Sequence, residues 1–255
     1  MKHRISRTIL MCAVVLIAAA APKAFSYAYN PWTGSTGAMK LAVNPFFYSP
    51  TFSPFVPTFD LAAAYGVTAN FDVIANFATL SFPATGFAYG GSWVMPRFDI
   101  GGNNIFALQI KYTPAGAAFT FDIVPQYHFF WENDYFAAEA NVYMDVPIAS
   151  AAPNVPYVKF GAYLAPVVKV IKDLFYIYCE IDPAVTSGIS SAVQSKFELG
   201  IVPGVTILLG GATHQLSIAV PLGNVMTVTY NTVGAVTPGL SIWYWTAFDF
   251  GGGKK

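Results

Sequence analysis

The chain reads as all-β: a transmembrane, antiparallel, up-and-down β-barrel of about twelve strands. Three observations lead there. Long stretches alternate apolar and polar residues with period two, the pattern of strands with one face of each kind. Only 10% of the 255 residues are charged, against 16% aromatic and 55% hydrophobic, where ordinary soluble domains carry about 25% charge. The best candidate for a spanning helix beyond the N-terminus, Phe160 to Cys179, is broken by Pro166, Lys169, Lys172 and Asp173. In lipid every backbone N–H and C=O must be paired internally, which leaves helices or a closed barrel. The length suits one domain.

The clearest hairpin is Phe119 to Val146. On its first arm Phe119, Phe121, Ile123, Pro125, Tyr127 and Phe129 share one face, and Thr120, Asp122, Val124, Gln126 and His128 the other. A tight turn, Trp131 to Asp134, leads to the second arm. There Phe136, Ala138, Ala140, Val142 and Met144 alternate with Ala137, Glu139, Asn141, Tyr143 and Asp145. Each arm has the ~9–11 residues that a tilted strand needs to cross a bilayer.

The other strands follow in order. The first runs from about Gly37 to Phe46, the second from Thr58 to Val67 and the third from Phe71 to Leu80, with the turn Thr68 to Asn70 between the last two. Ser92 to Ile100 is the fourth, and Gly101 to Asn104 turns it into a fifth carrying Gln109 and Lys111. After the hairpin come Tyr157 to Val170, then a ninth strand through Tyr176 to Asp182, then Ser195 to Leu208, Thr213 to Leu222 and Leu240 to Phe250. Met226 to Thr232 is expected in the last long loop as a strand extension, since a thirteenth strand would break the even count.

Connections alternate between short and long, the asymmetry of a barrel with short periplasmic turns and longer outer loops. The outer loops hold no Asp, Glu, Lys or Arg, which predicts an electrically neutral mouth, while Glu132, Asp134, Lys172 and Asp173 charge the short turns. Pro96, Pro125, Pro166 and Pro203 recur five or six residues before a short turn on the lipid face. Proline removes a ladder hydrogen bond, so local bulges are expected at these positions.

Residues 1–26 have the form of a cleaved export signal: Lys2, His3, Arg4 and Arg7, then an apolar run from Ile9 to Ala21, then small residues at Ala24 and Ser26 or, alternatively, Ser26 and Ala28. Residues 27–255 would then form the barrel. Losing Lys2, Arg4, Arg7 and Lys23 leaves 9 basic residues against 13 acidic, which gives no basis for nucleic-acid binding. Cys12 lies within the signal, so Cys179 is left alone and no internal disulfide is expected.

Ala64-Tyr65-Gly66-Val67-Thr68-Ala69-Asn70-Phe71 resembles the tyrosine-glycine-leucine-threonine turn between early strands of a broad family of outer-membrane proteins. That family includes porin-like barrels and phenol-degradation-pathway channels. The alternation Ile242, Tyr244, Thr246, Phe248, Phe250 is similar to the C-terminal signature read by the barrel assembly machinery, although Gly251 to Lys255 follow it. The resemblance implies an outer-membrane location, with outer-membrane lipid, the assembly machinery and small-molecule solutes as partners. It supplies no catalytic residues.

The lumen is where chemistry is expected. Arg97 and Asp99 are the candidates for a constriction, with Lys111, Asp122, Glu139, Asp145, Lys159, Glu180, Asp182 and Glu198 on the same polar faces. Such a lining either sets the selectivity of a pore or fills a narrow barrel with paired charges. Trp131, Tyr135, Trp243, Tyr244 and Trp245 fit an interfacial aromatic girdle, with ligand stacking as the alternative. His128 and His214 have no nucleophile and acid at matching spacing, so neither catalysis nor a cofactor or metal is expected. Passive passage of small solutes, weakly polar or apolar given the neutral mouth, is the leading expectation. A closed barrel with a structural or surface-contact role is the other.

Overall fold

The computed structural model describes residues 38–48, 56–82, 86–115, 118–150, 157–188, 195–210, 214–222, 224–229, 232–233 and 239–249. The expected export signal, the chain's last residues and most of the longer connections lie outside these residues. Fourteen strand segments follow one another: β1 (Ala38–Tyr48), β2 (Val56–Thr68), β3 (Phe71–Ser81), β4 (Ala88–Gly101), β5 (Asn104–Ala115), β6 (Ala118–Glu132) and β7 (Phe136–Ser150), then β8 (Tyr157–Ile171), β9 (Phe175–Gly188), β10 (Lys196–Leu209), β11 (His214–Ala219), β12 (Asn224–Thr229), the two-residue β13 (Thr232–Val233) and β14 (Gly239–Asp249).

Each strand from β1 to β10 pairs antiparallel with the next. β10 pairs on with β11, β11 with β14, and β14 with β1, so the pairings run in a cycle. β12 continues the β11 row along β10, pairing Met226 with Leu199 and Val228 with Phe197. Between the two segments the Val220 and Leu222 amides donate to the Pro203 and Ile201 carbonyls at 2.9 and 2.8 Å. Met226 to Thr229 is therefore the strand extension that the even count required. Ten strands, the β11–β12 row and β14 occupy twelve positions in the cycle, as the sequence predicts.

Alternation decides what each face carries. Along β6 the odd positions Phe119, Phe121, Tyr127 and Phe129 are exposed, while Asp122, Val124, Gln126 and His128 are buried. The same rule exposes Ile110, Val142, Phe160, Leu164, Val168, Ile177 and Val185 on successive strands. A continuous apolar outer surface with a polar interior inverts the soluble arrangement and is that of a membrane-spanning barrel. Aromatic rings gather near both ends of this surface. Phe71 stacks on Phe98 at 4.6 Å beside the short turns, and Tyr112 packs against Phe121 at 5.1 Å and Tyr89 at 6.4 Å toward the other end.

The prolines behave differently from expectation. Pro96, Pro125 and Pro166 do face outward, but none introduces a bulge. Val94 pairs with Ile110 and Arg97 with Ala107, so a step of three positions on one strand still matches a step of three on the other across Pro96. The same equal step spans Pro166 between Leu164↔Ile181 and Val167↔Tyr178, and Pro203 pairs in register with Cys179. Proline fixes φ near −65°, which an extended strand tolerates; what it loses is one donor. Ladder pairing lapses briefly and resumes unshifted. Register shifts fall elsewhere, at Leu61/Ala62, Asn76/Thr79 and Phe121/Asp122 among others.

The short turns are fixed by local chemistry. Gly101, Gly102 and Asn103 all take positive φ (88°, 63° and 64°), which lets β4 reverse into β5 within a tight loop. Asn133 Oδ1 accepts the Tyr135 and Phe136 amides, both at 2.8 Å, closing the β6–β7 turn. Adjacent turns are then joined. Lys172 lies 2.6 Å from Asp134, Lys169 lies 2.7 Å from Glu132, and the Lys169 amide donates to the Tyr135 carbonyl at 2.8 Å.

Two outcomes test this description. Ile110 and Gln109 are neighbours near the middle of β5 with opposite orientations. Ile110→Arg is expected to lower the unfolding free energy in lipid vesicles by about 2–4 kcal/mol, the cost of a cation on a lipid-facing midplane position. Gln109→Lys is expected to cost less than about 1 kcal/mol; equal losses would mean that the faces are misassigned. At the turn, the hydrogen bond from Lys172 holds the Asp134 carboxyl below its ordinary value. The stabilisation it gives is present above that ordinary value and fades as pH falls through the lowered one. In Lys172→Met, NMR titration of Asp134 is expected to return to the ordinary carboxylate range.

Candidate functional site in the barrel interior

Inward-facing residues form two layers. Near the short turns the interior is packed. Ile74 on β3, Met95 on β4, Ala107 on β5, Val167 on β8 and Tyr176 on β9 are each no more than 1% exposed. Within this layer Arg97 lies directly across from Asp72 on the neighbouring strand. Its Nε donates to Asp72 Oδ1 at 2.8 Å and its Nη2 to Oδ2 at 2.5 Å, a fork-to-fork pair with both residues buried.

Above that layer lies a cavity of about 550 Å³ lined from β4 through β10. Its charged wall is organised around three lysines. Lys111 bridges two acids, 2.7 Å from Asp145 Oδ2 and 3.2 Å from Asp122 Oδ2. Lys196 and Lys159 both approach Glu198, at 2.9 and 3.7 Å. Glu139, Glu180 and Asp182 line the same space. A row of amides crosses the floor: Asn141 donates to Gln126 at 2.9 Å, and Gln126 to Gln109 at 3.1 Å.

Two tyrosines lie flat against the inner wall because the facing position is glycine. Tyr143 opposes Gly161 and Tyr178 opposes Gly204 in register. A Cβ on either glycine would overlap the tyrosine ring beside it. These glycines are therefore sites of close approach, and a side chain there would push a ring into the lumen.

The structure sorts the sequence candidates. Lys111, Asp122 and Asp145 come together, and so do Lys159 and Glu198. Arg97 and Asp99 do not act as a pair: Asp99 sits at the rim, where its Oδ1 accepts the Gly101 amide at 2.8 Å and closes the turn. The acid that serves Arg97 is Asp72. The neutral lining residues Trp93, Gln109, Gln126, Asn141, Tyr143 and Tyr163 share the inner face of the predicted strands and could have been read from the same alternation. His128 is buried and faces the cavity. His214 Nδ1 meets the Tyr244 hydroxyl at 2.8 Å, whereas Ser217 meets Thr206 at 2.7 Å, so the histidine and the serine serve different faces of β11. Trp131 and Tyr135 are exposed at the short-turn rim. The side chains of Trp243, Trp245 and Lys40 fall outside the description.

A ring of antiparallel strands with an apolar outside and a charged cavity inside defines a membrane-spanning barrel of the outer-membrane type. No family model and no curated protein matches this chain. Among solved structures, an outer-membrane channel from Pseudomonas putida F1 superposes with a TM-score of 0.53 at 11% identity, covering 90% of this chain and 100% of that one. The KdgM porin gives 0.48 at 5% identity over 83% of this chain and 99% of that one, and a bacterial polysaccharide outer-membrane secretin gives 0.47 at 8% identity over 86% and 100%. The first of these establishes the fold; at such identities none transfers a function.

The buried pair gives a stability test. Arg97→Ala leaves the Asp72 carboxylate buried without its main partner, and the expected loss is about 3–5 kcal/mol in urea unfolding. Asp99→Ala, which removes only a turn contact, is expected to cost about 1 kcal/mol or less.

Proposed function

We propose that this protein is an outer-membrane channel for the passive passage of small solutes, exported by a signal spanning residues 1–26 and inserted by the barrel assembly machinery. The observation that carries this reading is the cavity of about 550 Å³ on the inner face of β4 through β10. Its volume lies in the ~300–1,000 Å³ range of small-molecule sites. The apolar outer surface and the fold shared with the Pseudomonas putida F1 channel support it. The neutral loops alone favour weakly polar or apolar solutes. The cavity wall is charged and amide-rich and favours polar ones.

A second reading is supported by the packed layer beside the short turns, where Met95, Arg97, Val167 and Tyr176 are all buried. On that reading the barrel is closed and serves a structural or surface-contact role.

Conductance separates the two. Protein extracted from the outer-membrane fraction and placed in a planar bilayer is expected to open in discrete steps. Tyr178→Ala, which removes a ring from the inner wall, is expected to raise the unitary conductance. A folded, heat-modifiable barrel with a flat baseline in both forms would overturn the channel and leave the structural reading.

A further inference from the structure

We infer that the cavity is a binding site for small organic cations bearing primary ammonium groups. The inference rests on the channel reading only for its physiological meaning, because the site itself is a property of the folded barrel.

Charge comes first. Among the described residues the interior from the packed layer up through the cavity carries eight acids, Asp60, Asp72, Asp122, Glu139, Asp145, Glu180, Asp182 and Glu198. Four bases accompany them, Arg97, Lys111, Lys159 and Lys196, leaving a formal excess of four negative charges. The bases are already engaged. Arg97 is clamped on Asp72, Lys111 is shared by Asp122 and Asp145, and Lys159 and Lys196 converge on Glu198. None of these cations is paired with Asp182 among the described residues.

The second observation is which atoms are left over. Asp145 is 8% exposed and His128 3% exposed, and both line the cavity. Asp145 Oδ1 and His128 Nε2 have no hydrogen-bond partner among the described residues, and neither have Asn141 Oδ1 and Asp182 Oδ1 on the same wall. Three of these four atoms are obligate acceptors, and an imidazole nitrogen accepts in one tautomer. A buried acceptor without a donor is costly. Water can satisfy such atoms but leaves the negative charge uncompensated. A primary ammonium supplies three donors and the missing positive charge together, whereas a quaternary ammonium supplies charge alone. No group of three or more ligands suited to a metal ion is found among the described residues, so a metal does not fit as well. Trp93, Tyr143 and Tyr163 on the wall can hold the ligand's methylene chain and add cation–π attraction. A linear α,ω-diamine of about four carbons is the simplest probe with these features.

The test is calorimetric titration of the detergent-extracted full barrel with 1,4-diaminobutane, 1,4-butanediol and succinate. The diamine is expected to bind at least about tenfold more tightly than the other two, with affinity falling as salt rises. Asp182→Asn and Asp145→Asn are each expected to weaken it by about tenfold, the scale of a lost charged hydrogen bond. Asp182 feels the charge of Lys159 but makes none of the close ion pairs described above, so its variant keeps those pairs, and heat-modifiability confirms folding of both. Equal binding of the three probes, or diamine binding unchanged in the Asp145→Asn/Asp182→Asn double variant, overturns the site. Bilayer recordings of the same preparation keep the two readings apart. Diamine binding with a silent baseline supports the site and sinks the channel; conductance without diamine binding sinks the site and keeps the channel.

Discussion

Everything in this structure depends on satisfying the backbone without water. A strand exposed to lipid on one side has no other source of hydrogen bonds than its neighbours, so the sheet must return on itself. Here the return is made at β10, whose far side is shared by β11 and β12 in succession. The Val220 and Leu222 amides cover the interval between those two segments by bonding to β10 carbonyls. That continuity lets β11 hand the ring on to β14 and then to β1. The outward prolines show how much slack the ring has: each removes one donor, yet the register beyond it is unchanged. A shift of one residue would have turned every apolar side chain of that strand inward and every charge outward. Face identity holds the register even where a ladder bond is missing.

The same wall that excludes lipid makes the interior a poor solvent for charge. Charges inside are therefore paired wherever a partner can be reached across strands, and the pairs are short-range in the barrel: β3 to β4 for Asp72–Arg97, β5 to β6 and β7 for Lys111, β8 to β10 for Lys159. Each uses the geometry of directly opposed or next-but-one positions. By formal count the interior acids outnumber the bases among the described residues. The composition of the inner face, acid-rich as residues 27–255 are, thus becomes a local property of the cavity rather than a diffuse net charge.

Much of the fold was legible because period-two alternation is a strong signal when strands are long. The hairpin of β6 and β7, the short turns, the inward set of charges and the status of Met226 to Thr229 all followed from it. What was not legible concerned partners in other strands. Arg97 and Asp99 are two residues apart on one face, so alternation alone puts them together. The true partner, Asp72, lies 25 positions away and meets Arg97 only through the β3–β4 register, which shifts at Asn76/Thr79. The bulges escaped notice because they fall away from the four recurring prolines: the Phe121/Asp122 shift leaves Ile148 extra beside Pro147, and the Thr79/Leu80 shift leaves Gly90 extra. Gln109, Gln126 and Asn141 fall on the polar faces of their predicted strands, but with no charge they do not stand out as lumen candidates.

The two interior layers divide the work that a channel would do. The cross-strand ion pairs Asp72–Arg97, Lys111 with Asp122 and Asp145, and Lys159–Glu198 join neighbouring or next-but-one strands, and Lys196–Glu198 lies within β10. The packed layer is instead made of two apolar groups on different arcs of the ring: Ala64, Ile74, Met95 and Ala107 on β2 to β5, and Ala137, Val167, Tyr176, Tyr178, Val202, Leu208 and Ala219 on β7 to β11. Each group is held by dispersion contacts and burial, and the Arg97–Asp72 pair lies beside the first of them. Tyr178 and Met95 are long enough to swing, and Gly204 leaves the tyrosine a place against the wall. On the proposed channel reading, charge in the cavity would govern what is held, and apolar packing beside the short turns whether it moves on. The two can be altered separately because they sit on different residues of the same strands.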